Sequence, residues 1–160
     1  MSNDRIAVLG AGQMGNGIAH VFAQAGHDVT MIDISPDALQ RGRDTIAKNL
    51  DRQVKKGTLS SDDREKVLAR VTTANGLEAV AGAALIVEAV TERRDLKFRI
   101  FTDLDRHADP GAILASNTSS ISITEIAAQT KRPTHVIGLH FMNPVPVMEL
   151  VEAVRGIAPS

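Results

Sequence analysis

Arg5-Ile-Ala-Val-Leu-Gly-Ala-Gly-Gln-Met-Gly15 is the stretch on which the reading of this chain turns. Its first half is a short, uninterrupted apolar run, the pattern of a strand buried on both faces of a parallel sheet. The run leads directly into three glycines spaced G-x-G-x-x-G. From Met14 to Ala25 the apolar residues then fall at helical spacing, at Ile18, Val21, Phe22 and Ala25, until Gly26 stops the helix. Strand, glycine loop and helix in that order make an anion cradle. Gly10 permits the tight turn, Gly12 lets backbone approach a pyrophosphate, and Gly15 lets helix and strand pack closely. The helix start, around Gln13 and Met14, offers N–H groups and the positive end of a dipole to phosphate.

Outward from the loop, Asp28-Val-Thr-Met-Ile32 reads as a second strand, closed by Asp33 about 20 residues beyond the glycines, where a dinucleotide-binding unit carries its acidic residue. A carboxylate there accepts hydrogen bonds from ribose hydroxyls and repels a 2′-phosphate. No arginine follows it; Ile34, Ser35 and Pro36 do. The expected cofactor is therefore NAD rather than NADP. A role for Asp33 in capping the next turn is compatible with this.

Further along, Pro36 to Lys56 predicts a long amphipathic helix with Leu39, Ile46, Leu50 and Val54 on one face. Ser60 caps a shorter helix running to Ala69. The pair, about residues 36–70, is expected to be a helical insertion projecting from the sheet. Strands are predicted at 71–73, 84–87, 112–115, 135–139 and 148–154. A helix is predicted at 96–106, and another behind Ser122-x-x-Glu125, a capping box. Alternating strands and helices imply an α/β domain with a mostly parallel sheet.

The totals fit one globular domain: 160 residues, 43% apolar, 23% charged, net charge -1 and no cysteine. There is no basic excess to suggest nucleic acid as a partner, no run long enough to span a membrane, and no disulfide or cysteine-based metal site. A cytoplasmic protein without a metal is expected. Ligands of open α/β sheets bind beyond the carboxyl ends of the strands. Three polar groups are expected there: Glu92 after the fourth strand, Ser116-Asn-Thr-Ser-Ser120 after the fifth, and His140 after the sixth. Singly each has a bland reading, as a cap, a turn or a structural histidine. Together, beside a nicotinamide, a serine and a histidine are what alcohol oxidation needs, because a group titrating near neutrality must take the hydroxyl proton. Glu152, in the otherwise apolar Leu150-Val-Glu-Ala-Val154, is the natural partner for His140 if it faces inward.

Four stretches, Val8–Gly15, Val87–Glu92, Ala115–Ser120 and Gly138–Glu152, resemble those of 3-hydroxyacyl-CoA dehydrogenases in order and spacing across nearly the whole chain. The resemblance implies a Rossmann-type doubly wound domain over residues 1–160. It also implies NAD-dependent oxidation of a short-chain (S)-3-hydroxyacyl-CoA, 3-hydroxybutyryl-CoA above all, within fatty acid metabolism. It assigns His140 as base, Glu152 as its partner and Ser119 as the residue that holds the substrate oxygen. Glu92, Lys97, Asn117 and Asn143 join Gly10, Gly12, Gln13, Met14, Gly15 and Asp33 as cofactor contacts, and Asn49 and Lys56 are assigned to CoA. The family's helical second domain is not within these residues. Where that domain is present a homo-oligomer is expected, and the apolar surface around Phe141, Met142, Val147 and Ile157 is expected to meet it. The alternative is a free-standing NAD(H)-binding module without catalysis, which would have no use for Ser119, His140 and Glu152.

Overall fold

The computed structural model describes residues 4–141 and the backbone of one further strand, Val151–Arg155. Chain order runs β1 (Ile6–Leu9), α1 (Gln13–Gln24), β2 (Val29–Ile32), α2 (Pro36–Lys55), α3 (Ser61–Ala69), β3 (Val71–Ala74), β4 (Leu85–Glu88), α4 (Arg94–His107), β5 (Ile113–Ser116), α5 (Ile123–Ala127), β6 (Val136–Phe141) and β7 (Val151–Arg155). Single 3-10 turns stand at Leu77–Val80 and Pro133–His135.

One seven-stranded sheet has the order β3-β2-β1-β4-β5-β6-β7. The first six strands are parallel, and β7 pairs antiparallel with β6. The order reverses between β1 and β4, so the chain winds outward in both directions from this pair. That reversal opens a crevice at the carboxyl edge of the sheet. Alternation along each strand feeds two cores. Ile6 and Val8 face a layer with Ile18 of α1, Ile46 and Leu50 of α2 and Val67 of α3. Ala7 and Leu9 face the opposite layer, with Phe101 and Leu104 of α4 and Ile126 of α5. Residues such as Ile18, Ile46 and Leu104 are fully buried, each stabilising the fold by about 1.5–3 kcal/mol.

Two expectations change. The helices after β2 are the β2–β3 crossover itself rather than a pure projection: Leu39, Gly42, Ile46 and Leu50 of α2 are buried, and Gly42 lies against Ala11 so tightly that a Cβ there would sit 2.8 Å from the Ala11 carbonyl. Beyond Leu50 the helix face is exposed or half-buried. A 20-residue helix is about 30 Å long, more than twice the reach of a four-residue strand, so only part of it docks on the sheet. The second change concerns Phe141. It is buried against Phe22, ring centroids 6.0 Å apart, so it belongs to the core and not to an exposed patch. Met142, Val147 and Ile157 lie outside the described residues. Among the described residues no helix is long and apolar enough to cross a membrane.

Caps and arginines tie the layers together. Ser35, Ser60 and Ser122 each accept a hydrogen bond from the backbone N–H three residues on. The second half of the Ser122 box is not made; Glu125 instead pairs with Arg94 at 2.8 Å. Arg132, paired with Asp105 at 2.7 Å, also donates to the Asp105 and Ala108 carbonyls at the end of α4.

Candidate active site

The glycine loop sits at the β1/β4 crevice. Gly10 has φ +104, open to glycine at little cost, and a Cβ there would lie 2.6 Å from the Ala89 carbonyl. A Cβ on Gly15 would lie 1.9 Å from the Gly10 carbonyl, so α1 can begin this close to β1 only without one. Gly12 differs. It is the N-cap of α1 and supplies no side chain to the first-turn N–H groups, and nothing lies within 4 Å of where its Cβ would be. The space in front of the helix start is thus open, and it is the space a pyrophosphate requires.

Asp33 anchors the neighbouring turn. Its carboxylate accepts from the Ala11 N–H at 3.0 Å and the Ser35 N–H at 2.9 Å. It therefore caps the loop while lining a cavity of about 480 Å³ with Gly10, Gly12, Ile34, Leu96 and Ile100. The cavity is mostly apolar apart from Asp33, Asn75, Thr91 and backbone, which suits an adenosine with its ribose on the carboxylate. Ile34, a 91% exposed isoleucine, flanks its mouth.

A second cavity, about 320 Å³, is lined by Met14, Val90, Glu92, Asn117, Ser119 and His140 among others. It gathers residues from the ends of β4, β5 and β6. His140 is the penultimate residue of β6 rather than a loop residue after it, because β6 ends two residues later than its apolar pattern suggests. Asn117 explains part of that length: its Oδ1 accepts the Phe141 N–H at 3.1 Å, continuing the edge beyond the last β5–β6 register pair, Ser116 with Gly138. On the other side β6 pairs with β7, and Glu152 is the register partner of His140. The Glu152 side chain and all of Asn143 lie outside the described residues.

Glu92 is the hub of the cavity. It accepts from the Thr118 hydroxyl at 2.9 Å, the Ser119 N–H at 3.0 Å and the Ser120 hydroxyl at 2.9 Å. The Ser119 hydroxyl is farther, at 3.3 Å. Lys97 Nζ lies 3.0 Å away. Burial works against the charge, but the Lys97 ammonium and the donors from Ser119, Thr118 and Ser120 outweigh it and hold the carboxyl down at about 2.

Lys97 departs from the sequence reading. Expected as a direct cofactor contact, it is fully buried and lies between two carboxylates, 2.9 Å from Glu88 and 3.0 Å from Glu92. An ammonium out of water needs such partners, so in this structure it meets the cleft only through Glu92. Glu88 escaped the sequence reading altogether. It closes β4, has no exposed surface, and accepts from the Val90 N–H at 2.8 Å and the Ser116 hydroxyl at 2.5 Å. The available signal was a glutamate ending an apolar strand with a lysine nine residues on. Asn49 and Lys56 sit on α2, with Asn49 accepting from Arg52 at 3.1 Å. Neither lines either cavity.

Fold and cleft together define a dinucleotide-binding domain of the doubly wound α/β class, with a polar reaction pocket beside the cofactor crevice. Residues 5–160 match the family model for the NAD-binding domain of 3-hydroxyacyl-CoA dehydrogenase. The chain belongs to that family, and its cofactor is NAD. It is 51% identical over 154 residues to a 3-hydroxybutyryl-CoA dehydrogenase of Bradyrhizobium diazoefficiens, covering 96% of this chain and 53% of the relative. It is 46% identical over 153 residues to a 3-hydroxyadipyl-CoA dehydrogenase of Escherichia coli, covering 96% and 32% respectively. The crystal structure of (S)-3-hydroxybutyryl-CoA dehydrogenase from Ralstonia eutropha superposes with a TM-score of 0.94 at 46% identity, over 98% of this chain and 55% of that one. The chain spans about half the length of the curated 3-hydroxybutyryl-CoA dehydrogenases it matches.

Proposed function

We propose that this domain serves the reversible, NAD-dependent oxidation of a short-chain (S)-3-hydroxyacyl-CoA, most simply 3-hydroxybutyryl-CoA, to the 3-oxoacyl-CoA. The observation that carries the reading is the meeting of Ser119 and His140 in one cavity with Glu92 and Asn117, next to the glycine loop. When bound, NAD supplies the hydride acceptor. His140 takes the proton of the 3-hydroxyl. Glu152, opposite it in the β6–β7 register, is placed as cross-strand partners are and stabilises the imidazolium. The Ser119 hydroxyl holds the substrate oxygen. Its 3.3 Å contact with Glu92 is longer than a normal hydroxyl hydrogen bond, so this is the member of the set that turns to a ligand at little cost. Gly10, Gly12, Gln13, Met14 and Gly15 hold the pyrophosphate end, Asp33 the ribose, and Glu92, Asn117 and Asn143 the nicotinamide end, with Lys97 acting through Glu92. Asn49 and Lys56 serve the CoA portion from the α2 side. The domain boundary at residues 1–160, a cytoplasmic location and a homo-oligomeric full-length enzyme complete the reading.

His140→Gln tests it in the longest form of the protein that the gene encodes. The expected result is a kcat loss of roughly 10²–10⁴-fold with NADH affinity unchanged. Near-normal turnover of a 3-oxoacyl-CoA would remove His140 from the chemistry. The alternative, a binding module without catalysis, predicts no turnover before or after the change.

A further inference from the structure

Behind Glu92 lies a buried charge cluster whose innermost member, Glu88, has no part in the proposed chemistry. Glu88, Lys97 and Ser116 are all buried, with Glu88 and Lys97 at 0% exposure. Among the described residues every partner of the Glu88 carboxylate is a donor: the Val90 N–H, the Ser116 hydroxyl and the Lys97 ammonium. Donor-only surroundings match a carboxylate that acts purely as an acceptor. Lys97 bridges Glu88 to Glu92 at 2.9 and 3.0 Å, so two carboxylates share one ammonium. The nearest other cations on the start of α4 are already spent, Arg93 on Asp95 and Arg94 on Glu125. The cluster therefore carries one net negative charge. It underlies the cavity where Val90, Glu92 and Asn117 meet Ser119 and His140.

We infer that the Glu88–Lys97–Glu92 cluster is a redox-state selector: its net negative charge favours the oxidised, cationic nicotinamide ring over the reduced, neutral one. The inference rests on the proposed placement of the nicotinamide in this cavity. The physics is a difference. Oxidised and reduced cofactors share the adenosine, the pyrophosphate and both riboses, so the contacts of Gly12 and Asp33 cancel in the ratio of the two dissociation constants. What does not cancel is the ring charge, and a buried negative charge near it acts in a medium of low effective dielectric. A bare carboxylate would give the same sign, but it would also be free to take up a proton or to recruit a cation. Lys97 holds both carboxylates in place and leaves one charge uncompensated.

The test measures both dissociation constants by titration, at one pH and in one buffer for wild type and all variants. Glu92→Gln and Glu88→Gln each neutralise the cluster. Each is expected to raise Kd(NAD⁺)/Kd(NADH) by about tenfold, the effect of one charge at roughly 10 Å under an effective dielectric of about 20. The double change Glu88→Gln/Lys97→Met restores one net negative charge and is expected to return the ratio to within about threefold of wild type, which a purely structural role for the brace does not predict. Should the Glu88 variants not fold, Glu92→Gln, whose side chain is 36% exposed, decides alone. An unchanged ratio in the single variants, with both cofactors still binding, overturns the selector. Failure of the wild-type protein to bind either cofactor overturns the parent reading instead, and the selector with it.

Discussion

Glu92 shows how much one side chain organises. It collects the hydroxyls or amides of three consecutive residues and an ammonium, and these contacts pull its carboxyl down to about 2 from its ordinary value of 4.5. The sign of the consequence follows directly. A carboxylate whose folded-state pKa is depressed binds fewer protons folded than unfolded, so its contribution is present above the unfolded value and is lost as pH falls. The window runs from about 4.5 down to about 2. Because the side chain is 36% exposed, solvent screening reduces the stabilisation below what the full shift would imply. Stability of wild type and Glu92→Gln, measured by urea unfolding at several pH values, is expected to converge as pH falls through this window. A constant gap between pH 6 and pH 2.5 would show that the Ser119 loop is not held by the charge. His20 adds a second acid-sensitive group. Burial pushes its imidazole below its ordinary value, against the hydrogen bond to Gln24, so by the same rule its neutral form favours the fold above about pH 6.5.

At the scale of elements, the two sides of the sheet differ in what holds them. The α4–α5 side is braced by Arg132 on Asp105 and the neighbouring carbonyls. The α2–α3 side is tied by Arg43, which donates to the Val71 and Leu68 carbonyls, by Arg70 on the Ala23 carbonyl, by the Arg64–Asp51 pair and by caps at its helix starts. Ser60 accepts the Asp63 N–H at 3.0 Å at the start of α3, and Asp62 and Asp63 lie in that first turn. Ser60→Ala is expected to destabilise the domain by about 1 kcal/mol, the usual loss for an N-cap. NADH affinity should not change, because neither cavity includes α3. Denaturant midpoints and a cofactor titration on the same variant check both halves. A change in affinity would mean that the crossover helices couple to the cleft through α2 and the Gly42–Ala11 contact.

For the whole molecule, a cofactor that binds only the folded chain must stabilise it by mass action. At about 100 times its dissociation constant NADH adds roughly 2.7 kcal/mol, and in a domain of this size each kcal/mol raises Tm by about 2–4 °C. A thermal shift of about 5–10 °C is therefore expected. NADPH at the same concentration should shift Tm less, since Asp33 already caps the Ala11 N–H and Ile34-Ser-Pro36 supply no cation for a 2′-phosphate. An equal or larger shift with NADPH would sink the role given to Asp33. By itself the sequence determined the α/β class, the glycine cradle, the place of Asp33 and the set of polar residues at the strand ends, because each depends on short-range pattern: period, turn chemistry and motif spacing. Only the tertiary structure decided where long-range neighbours fall. It docked α2 on the sheet as the crossover, buried Phe141 against Phe22, drew His140 into β6 through Asn117, and paired Lys97 with a glutamate whose importance a linear reading had no way to weigh. Residues 88, 97 and 116 are distant in sequence and adjacent at the ends of β4, α4 and β5, and the free energy that sets their roles, that of burying charges together, exists only once the sheet has closed over them.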